Sequence, residues 1–183
     1  MITRFDVFES INLIASRSNN HHYYLISYKE NSQTIVNIKY QINLPVIKII
    51  TNTIAEQLPF ELADLHPLET DWVITSVPLH WKNRLTRKFD LNAIISRKIA
   101  RSTDFKYKKV LRNTKTRTQG SCQNRTERLQ NAKDKFCLKH RASIGRNIIL
   151  FDDVVATCAT MQSCEKLLRS AGAKNVVWLS IAH

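Results

Sequence analysis

Residues 147–160, Asn-Ile-Ile-Leu-Phe-Asp-Asp-Val-Val-Ala-Thr-Cys-Ala-Thr, constrain the fold more than any other stretch of the chain. Four consecutive apolar residues, Ile148 to Phe151, run into two adjacent acids, Asp152 and Asp153. Val154 and Val155 follow, then small and hydroxyl residues from Ala156 to Thr160. Met161, Cys164, Leu167, Leu168 and Ala171 recur at helical spacing until Gly172 stops the pattern. The order predicts a buried parallel strand, a loop and a helix. In an open α/β sheet, ligands bind at the carboxyl end of such a strand. Small residues before a helix leave backbone N–H groups for a phosphate, helped by the helix dipole. Thr157 and Thr160 would add hydroxyl donors. Two carboxylates beside an anion site do not bind the anion; they point to sugar hydroxyls or a hydrated Mg²⁺.

Residues 150–160 resemble the phosphoribosyl pyrophosphate (PRPP) loop of type I phosphoribosyltransferases, in which apolar residues precede Asp-Asp, two further apolar residues and Thr-Thr-Gly-x-Thr. Ala156 stands where that family usually has Thr or Ser, and Cys158 where it usually has Gly. The cysteine is the weightier departure, because a Cβ restricts the backbone and crowds a phosphate. The plainer alternative is an ordinary buried strand with an acidic end.

A chain of 183 residues, 43% hydrophobic, can bury the core of one domain. We expect a single phosphoribosyltransferase-like unit over 1–183, with a variable part over 1–71 and a core over 72–183. No apolar run approaches the ~20 residues of a membrane span, and the N-terminus lacks a signal pattern, so a cytoplasmic protein without membrane insertion is expected. Cys122, Cys137, Cys158 and Cys164 form no CxxC pair and have no histidine at zinc-finger spacing. Zinc is therefore not expected, and reduced thiols are. The net charge of +13 is unevenly spread. Residues 82–146 carry twenty Lys and Arg against four acids, whereas the rest carry eight against eleven. The basic middle attracts polyanions, either a pyrophosphorylated sugar or nucleic acid, unless it is a solvated surface only.

Along the chain, the pattern predicts a short helix over Phe5 to Ile14 and a strand over Tyr23 to Tyr28. His21 and His22 precede that strand; two histidines alone make a poor metal site, so a loop or strand edge is expected. Lys29 to Ser32 reads as a turn. Ile35, Ile38, Val46, Ile49, Ile50, Ile54 and Leu58 suit two helices broken near Leu44-Pro45, with Pro59 closing the second and a loop over 60–71. Trp72 to Val77 reads as a strand, and 78–84 as its loop. Asp90 is placed to cap a helix over Leu91 to Ala100, with Ile94, Ile95 and Ile99 on one face. Val110-Leu111 reads as a short strand and 112–128 as a mobile loop, followed by a helix over about Arg125 to Ala132. Phe136 to Leu138 is expected to return to the sheet, and Asn175 to Ile181 to add a last strand. Strand–helix–strand order at 72–111 and 148–181 argues for an α/β fold with a doubly wound, mostly parallel sheet.

Further motifs narrow the resemblance. Val77-Pro78-Leu79-His80, followed by Arg87 and Phe89, is similar to the Val-Pro-Leu-His and Arg-Gly-Phe-Asn-Gln segments of the ComF (ComFC) competence family; Lys88, Asp90 and Leu91 depart from it. Arg112, Thr116, Gln119, Arg128, Asn131 and Phe136 resemble the family's Arg-x-Thr-x-x-Gln, Arg-x-x-Asn and Phe, with one extra residue between Gln119 and Asn131. Lys39-Tyr40 resembles its Lys-Tyr. The cysteine-rich zinc module with which many members begin has no counterpart here.

The resemblance implies a type I phosphoribosyltransferase fold and a role in DNA uptake during natural transformation, with the competence machinery as partner. It implies that Asp152 and Asp153 engage ribose hydroxyls or waters of Mg²⁺, and that Ala156, Thr157, Cys158, Ala159 and Thr160 face the 5′-phosphate. Leu79, His80, Lys82 and Arg84 would face the pyrophosphate, and the basic loop would lie where such enzymes carry a lid. His80 suits either a general acid–base or a strand-end cap. For single-stranded DNA the candidates are Trp81, as a stacking ring, with Arg87, Arg112, Arg117, Arg125 and Arg128. Three functions stay open: a PRPP-binding competence factor, an active phosphoribosyltransferase with no assignable catalytic residue, and a ligand-blind scaffold.

Overall fold

The structure is a computed structural model that describes residues 11–16, 19–40, 43–79, 89–114, 135–139 and 144–183. Its centre is a six-stranded sheet: β1 (Ile14–Ser16), β2 (Asn19–Ile26), β3 (Trp72–Ser76), β4 (Lys106–Tyr107), β7 (Asn147–Val154) and β8 (Asn175–Ala182). The spatial order is β1-β2-β8-β7-β3-β4. β1 pairs antiparallel with β2, and every other neighbouring pair is parallel. β5 (Leu111–Asn113) and β6 (Phe136–Leu138) form a separate antiparallel pair. The helices among the described residues are α1 (Tyr28–Tyr40), α2 (Leu44–Leu65), α3 (Leu91–Ser102) and α4 (Ala159–Ser170).

Both sheet faces are covered, as parallel strands require. On one face Ile74, Ile149, Phe151, Leu179 and Ile181 pack with the apolar stripes of α1, α2 and α3. On the other, Val73, Ile148, Leu150, Val176 and Trp178 pack with Met161, Cys164 and Leu168 of α4 and with Val110 and Leu111 beside the small sheet. The alternation follows from the two-residue period of a strand. It puts β7 and β3 at the centre, where the crossovers through α3 and α4 diverge. The doubly wound, mostly parallel α/β architecture expected from the sequence is present.

Several boundaries differ from expectation. The strand foreseen over Tyr23 to Tyr28 begins at Asn19 and ends at Ile26, so His21 and His22 lie inside it. Tyr28 opens α1 instead, its N–H bonded to the His183 carbonyl. The expected turn at 29–32 is a kink within that helix: Asn31 has φ −123° and ψ 20°, and its side chain donates to the Ser27 carbonyl. Pro45 lies in the first turn of α2, where its missing N–H costs nothing. Pro59 does not close α2, which runs on to Leu65. Burial of Leu58 and Leu62 on one stripe outweighs an interior proline's cost of about 3 kcal/mol. Ile14 belongs to β1, not a helix; residues 5–10 of that expected helix lie outside the described residues. Phe136–Leu138 does not return to the main sheet, because β5 offers an antiparallel edge and the second core takes up Phe136 and Leu138. The loop and helix expected from 115 to 132 also lie outside the described residues.

Candidate functional site

β7 is longer than its apolar run. It continues through Asp152 and Asp153, with Asp152 opposite Ser180 and Val154 opposite Ala182 on β8. Adjacent strand residues point to opposite faces, so the two acids part company. Asp153 meets Lys39, in the last turn of α1, with Nζ 3.2 Å from Oδ1; both side chains are mostly buried. Asp152 instead lines a cavity of about 130 Å³ with residues 154–158, Thr160 and Met161.

The floor of that cavity is the turn into α4. Val155 ends the strand pairing, its N–H bonded to the Ala182 carbonyl. Cys158 is the N-cap of α4 in the left-handed conformation, φ 57° and ψ −16°, and gives no side-chain cap. It is the one residue with a positive φ that is not glycine among those described. Helix geometry leaves the first-turn amides of Thr160 and Met161 without an intrahelical acceptor, and a small anion satisfies such groups. Ala156, Thr157, Ala159 and Thr160 are exposed and Cys158 half-buried, so the loop is open to a ligand.

Asp152 is held from above. Asn92, in the first turn of α3, donates from Nδ2 to Asp152 Oδ1 at 2.8 Å and to the Val77 carbonyl at 3.4 Å. The Asp153 amide also donates to Asp152 Oδ1, at 2.9 Å. Burial, and then the neighbouring charge of Asp153, push the Asp152 carboxyl up to about 7, while the Asn92 hydrogen bond acts against the rise. Burial, followed by the charge of Asp152, pushes the nearby Cys164 thiol up to about 12 and leaves it inert.

Of the expected pyrophosphate residues, Leu79 follows β3, and its carbonyl accepts from Asn113 Nδ2 at 2.6 Å. His80, Lys82 and Arg84 lie outside the described residues. So do Trp81, Arg87, Arg117, Arg125 and Arg128 among the DNA candidates; Arg112 is exposed on β5. Lys39, noted in the sequence only as part of a motif, reaches Asp153. Sequence reasoning missed Asn92, Asn113 and His183, whose Nδ1 lies 2.9 Å from the Val155 carbonyl at the root of the loop. Asn92 had a legible signal: it is a polar residue three positions before Ile95 and seven before Ile99 on a buried helical stripe.

The carboxylates do not suit direct coordination of one cation, since they face apart and each already has an internal donor. Asp152 can meet a hydrated ion through water. Among the described residues no group of three or more His, Cys, Asp or Glu could hold a metal, and no helix is long and apolar enough to cross a membrane.

No family model matches the chain. Over 85 residues, 46% of its length, the chain is 35% identical to the competence protein ComFC of Streptococcus pneumoniae, of which the match spans 38%. Among solved structures, it resembles the glutamine PRPP amidotransferase from B. subtilis, with 18% identity, a TM-score of 0.48, and coverage of 80% of this chain and 30% of that one. It also resembles the adenine phosphoribosyltransferase from Saccharomyces cerevisiae, with 13% identity, a TM-score of 0.45, and coverage of 97% and 88%.

Proposed function

We propose that the chain is a ComF-like competence factor of type I phosphoribosyltransferase fold, which binds PRPP or a related sugar phosphate while handling incoming DNA. One observation carries this reading: Asp152, on the central strand of a parallel sheet, lines the same cavity as the open first turn of α4. A carboxylate for hydroxyls next to amides for an anion is the donor set that a phosphorylated sugar needs. The similarity to ComFC supports the competence role.

In this reading the turn at 156–160 takes the 5′-phosphate and Asp152 the ribose hydroxyls. Asp153, paired with Lys39, supports the strand end from the opposite face. The loop that begins at Leu79 receives the pyrophosphate. Mg²⁺ would accompany the pyrophosphate and neutralise its charge, its waters reaching Asp152. The basic middle of the chain, Arg112 included, contacts single-stranded DNA. Calorimetry with PRPP and Mg²⁺ tests ligand binding; no heat at millimolar ligand would refute it. DNA binding should weaken steeply with salt, because phosphate contacts release counterions. Affinity that ignored salt would sink the DNA part.

A ligand-blind scaffold is the competing reading, favoured by the Cβ that Cys158 places at a left-handed turn where the enzymes have glycine. Product assays with a panel of nucleobases separate both from an active transferase.

A further inference from the structure

Asn92 is almost fully buried, and its Nδ2 is directed at two acceptors on different segments. One is the Val77 carbonyl, at the end of β3 where the loop through Leu79 begins. The other is Asp152 Oδ1 on β7. Val77 itself is tied to β7, its N–H donating to the Phe151 carbonyl at 2.8 Å. The Asn92 side-chain oxygen, Oδ1, is buried without a hydrogen-bond partner among the described residues. A buried amide left half-satisfied costs stability, and an apolar residue in phase with Ile95 and Ile99 would avoid that cost. The position is therefore better explained by what its donors do.

Both donors to Asp152, Asn92 Nδ2 and the Asp153 amide, converge on Oδ1. Among the described residues Oδ2 receives no hydrogen bond, and Asp152 lines the cavity over residues 154–158. We propose that Asn92 is a positioning residue for the sugar subsite: by clamping Asp152 Oδ1 to the end of β3, it presents Oδ2 to the hydroxyls of a ribose phosphate. The proposal rests on the sugar-phosphate reading of residues 152–160. It assigns no chemistry to Asn92, which acts through Asp152.

The test uses calorimetry on the full chain with two ligands, ribose 5-phosphate and inorganic phosphate. Inorganic phosphate probes only the turn at 156–160, whereas ribose 5-phosphate also needs Asp152. Asn92→Ala and the volume-conserving Asn92→Leu should each weaken ribose 5-phosphate about tenfold, the scale of one hydrogen bond to a charged group, and change phosphate less than twofold. A structure of Asn92→Leu should show the Asp152 carboxylate turned away from the Asp153 amide. Equal losses for both ligands would reveal a merely structural residue and overturn the proposal. So would unchanged affinity for ribose 5-phosphate in both variants. If the parent chain bound neither ligand, the sugar-phosphate reading would fall and take this one with it. If the parent bound both and the variants matched it, this one alone would fall.

Discussion

The two ends of β7 are built on opposite logics. At its amino end the polar groups satisfy one another. Buried Asn147 donates to Glu69 Oε2 at 2.8 Å and accepts from Asn175 at 2.9 Å. Glu69 also pairs with Lys174 at 2.8 Å, and its carbonyl accepts from the Trp72 indole. At the carboxyl end two acids stand side by side, and the buried oxygens of Ser76 and Asn92 have no partner. A strand end that only had to be stable would resemble the first. The second keeps like charges close and polar atoms unmet, as binding sites do. Polar groups satisfy one another at one end of the strand, and at the other some are left available for a ligand.

The largest way to break this contrast is to remove the cation that steadies the carboxyl end. Lys39→Met leaves Asp153 mostly buried with its ammonium partner gone, and should lower unfolding free energy by about 3 kcal/mol in urea denaturation. An unchanged denaturation midpoint would mean that the pair contributes nothing. Next comes the amino end: Asn147→Ala strips Asn175 and Glu69 of a shared partner and should cost about 2 kcal/mol. Its effect on ligand affinity should be nil, and a parallel loss of binding would erase the division between the two ends.

The third test uses pH. Asp152 is raised in the folded chain to about 7 from 3.8, so the folded state holds a proton that the unfolded chain gives up earlier. Its contribution is therefore full below about pH 4 and is lost as pH rises through about 7. Relative to Asp152→Asn, the parent chain should lose stability as pH rises through that window. His22 gives the opposite slope: burial first, then His183, lower it to about 4 from 6.5, so its contribution is lost as pH falls. The difference between parent and variant isolates Asp152, and parallel curves would show that it is not strained. The smallest effect is expected at the loop. Cys158→Gly should add about 1 kcal/mol by relieving the left-handed backbone, and should tighten phosphate binding if the turn is only crowded. Weaker phosphate binding would show instead that the cysteine is adapted to its place.

Local pattern was enough to find β7, α4, the cap of α3 and the final strand, since each rests on periodicity or on a contact within four residues. Asp90 does accept from the Ala93 amide at 3.1 Å. The same rules misjudged Pro59 and the destination of Phe136 to Leu138. Those outcomes depend on burial against partners far along the chain.

At the site, the sequence by itself determined that two acids, a small-residue turn and a helix start would lie together at the end of a central strand. Only the tertiary structure decided that the acids serve opposite faces. β7 extends three residues further than its apolar run because β8 continues to pair with it, and a strand turns successive side chains apart. Asp153 was thereby given to Lys39, and Asp152 to Asn92 and the cavity. Those partners lie 114 and 60 residues away in sequence, and no local rule spans that distance.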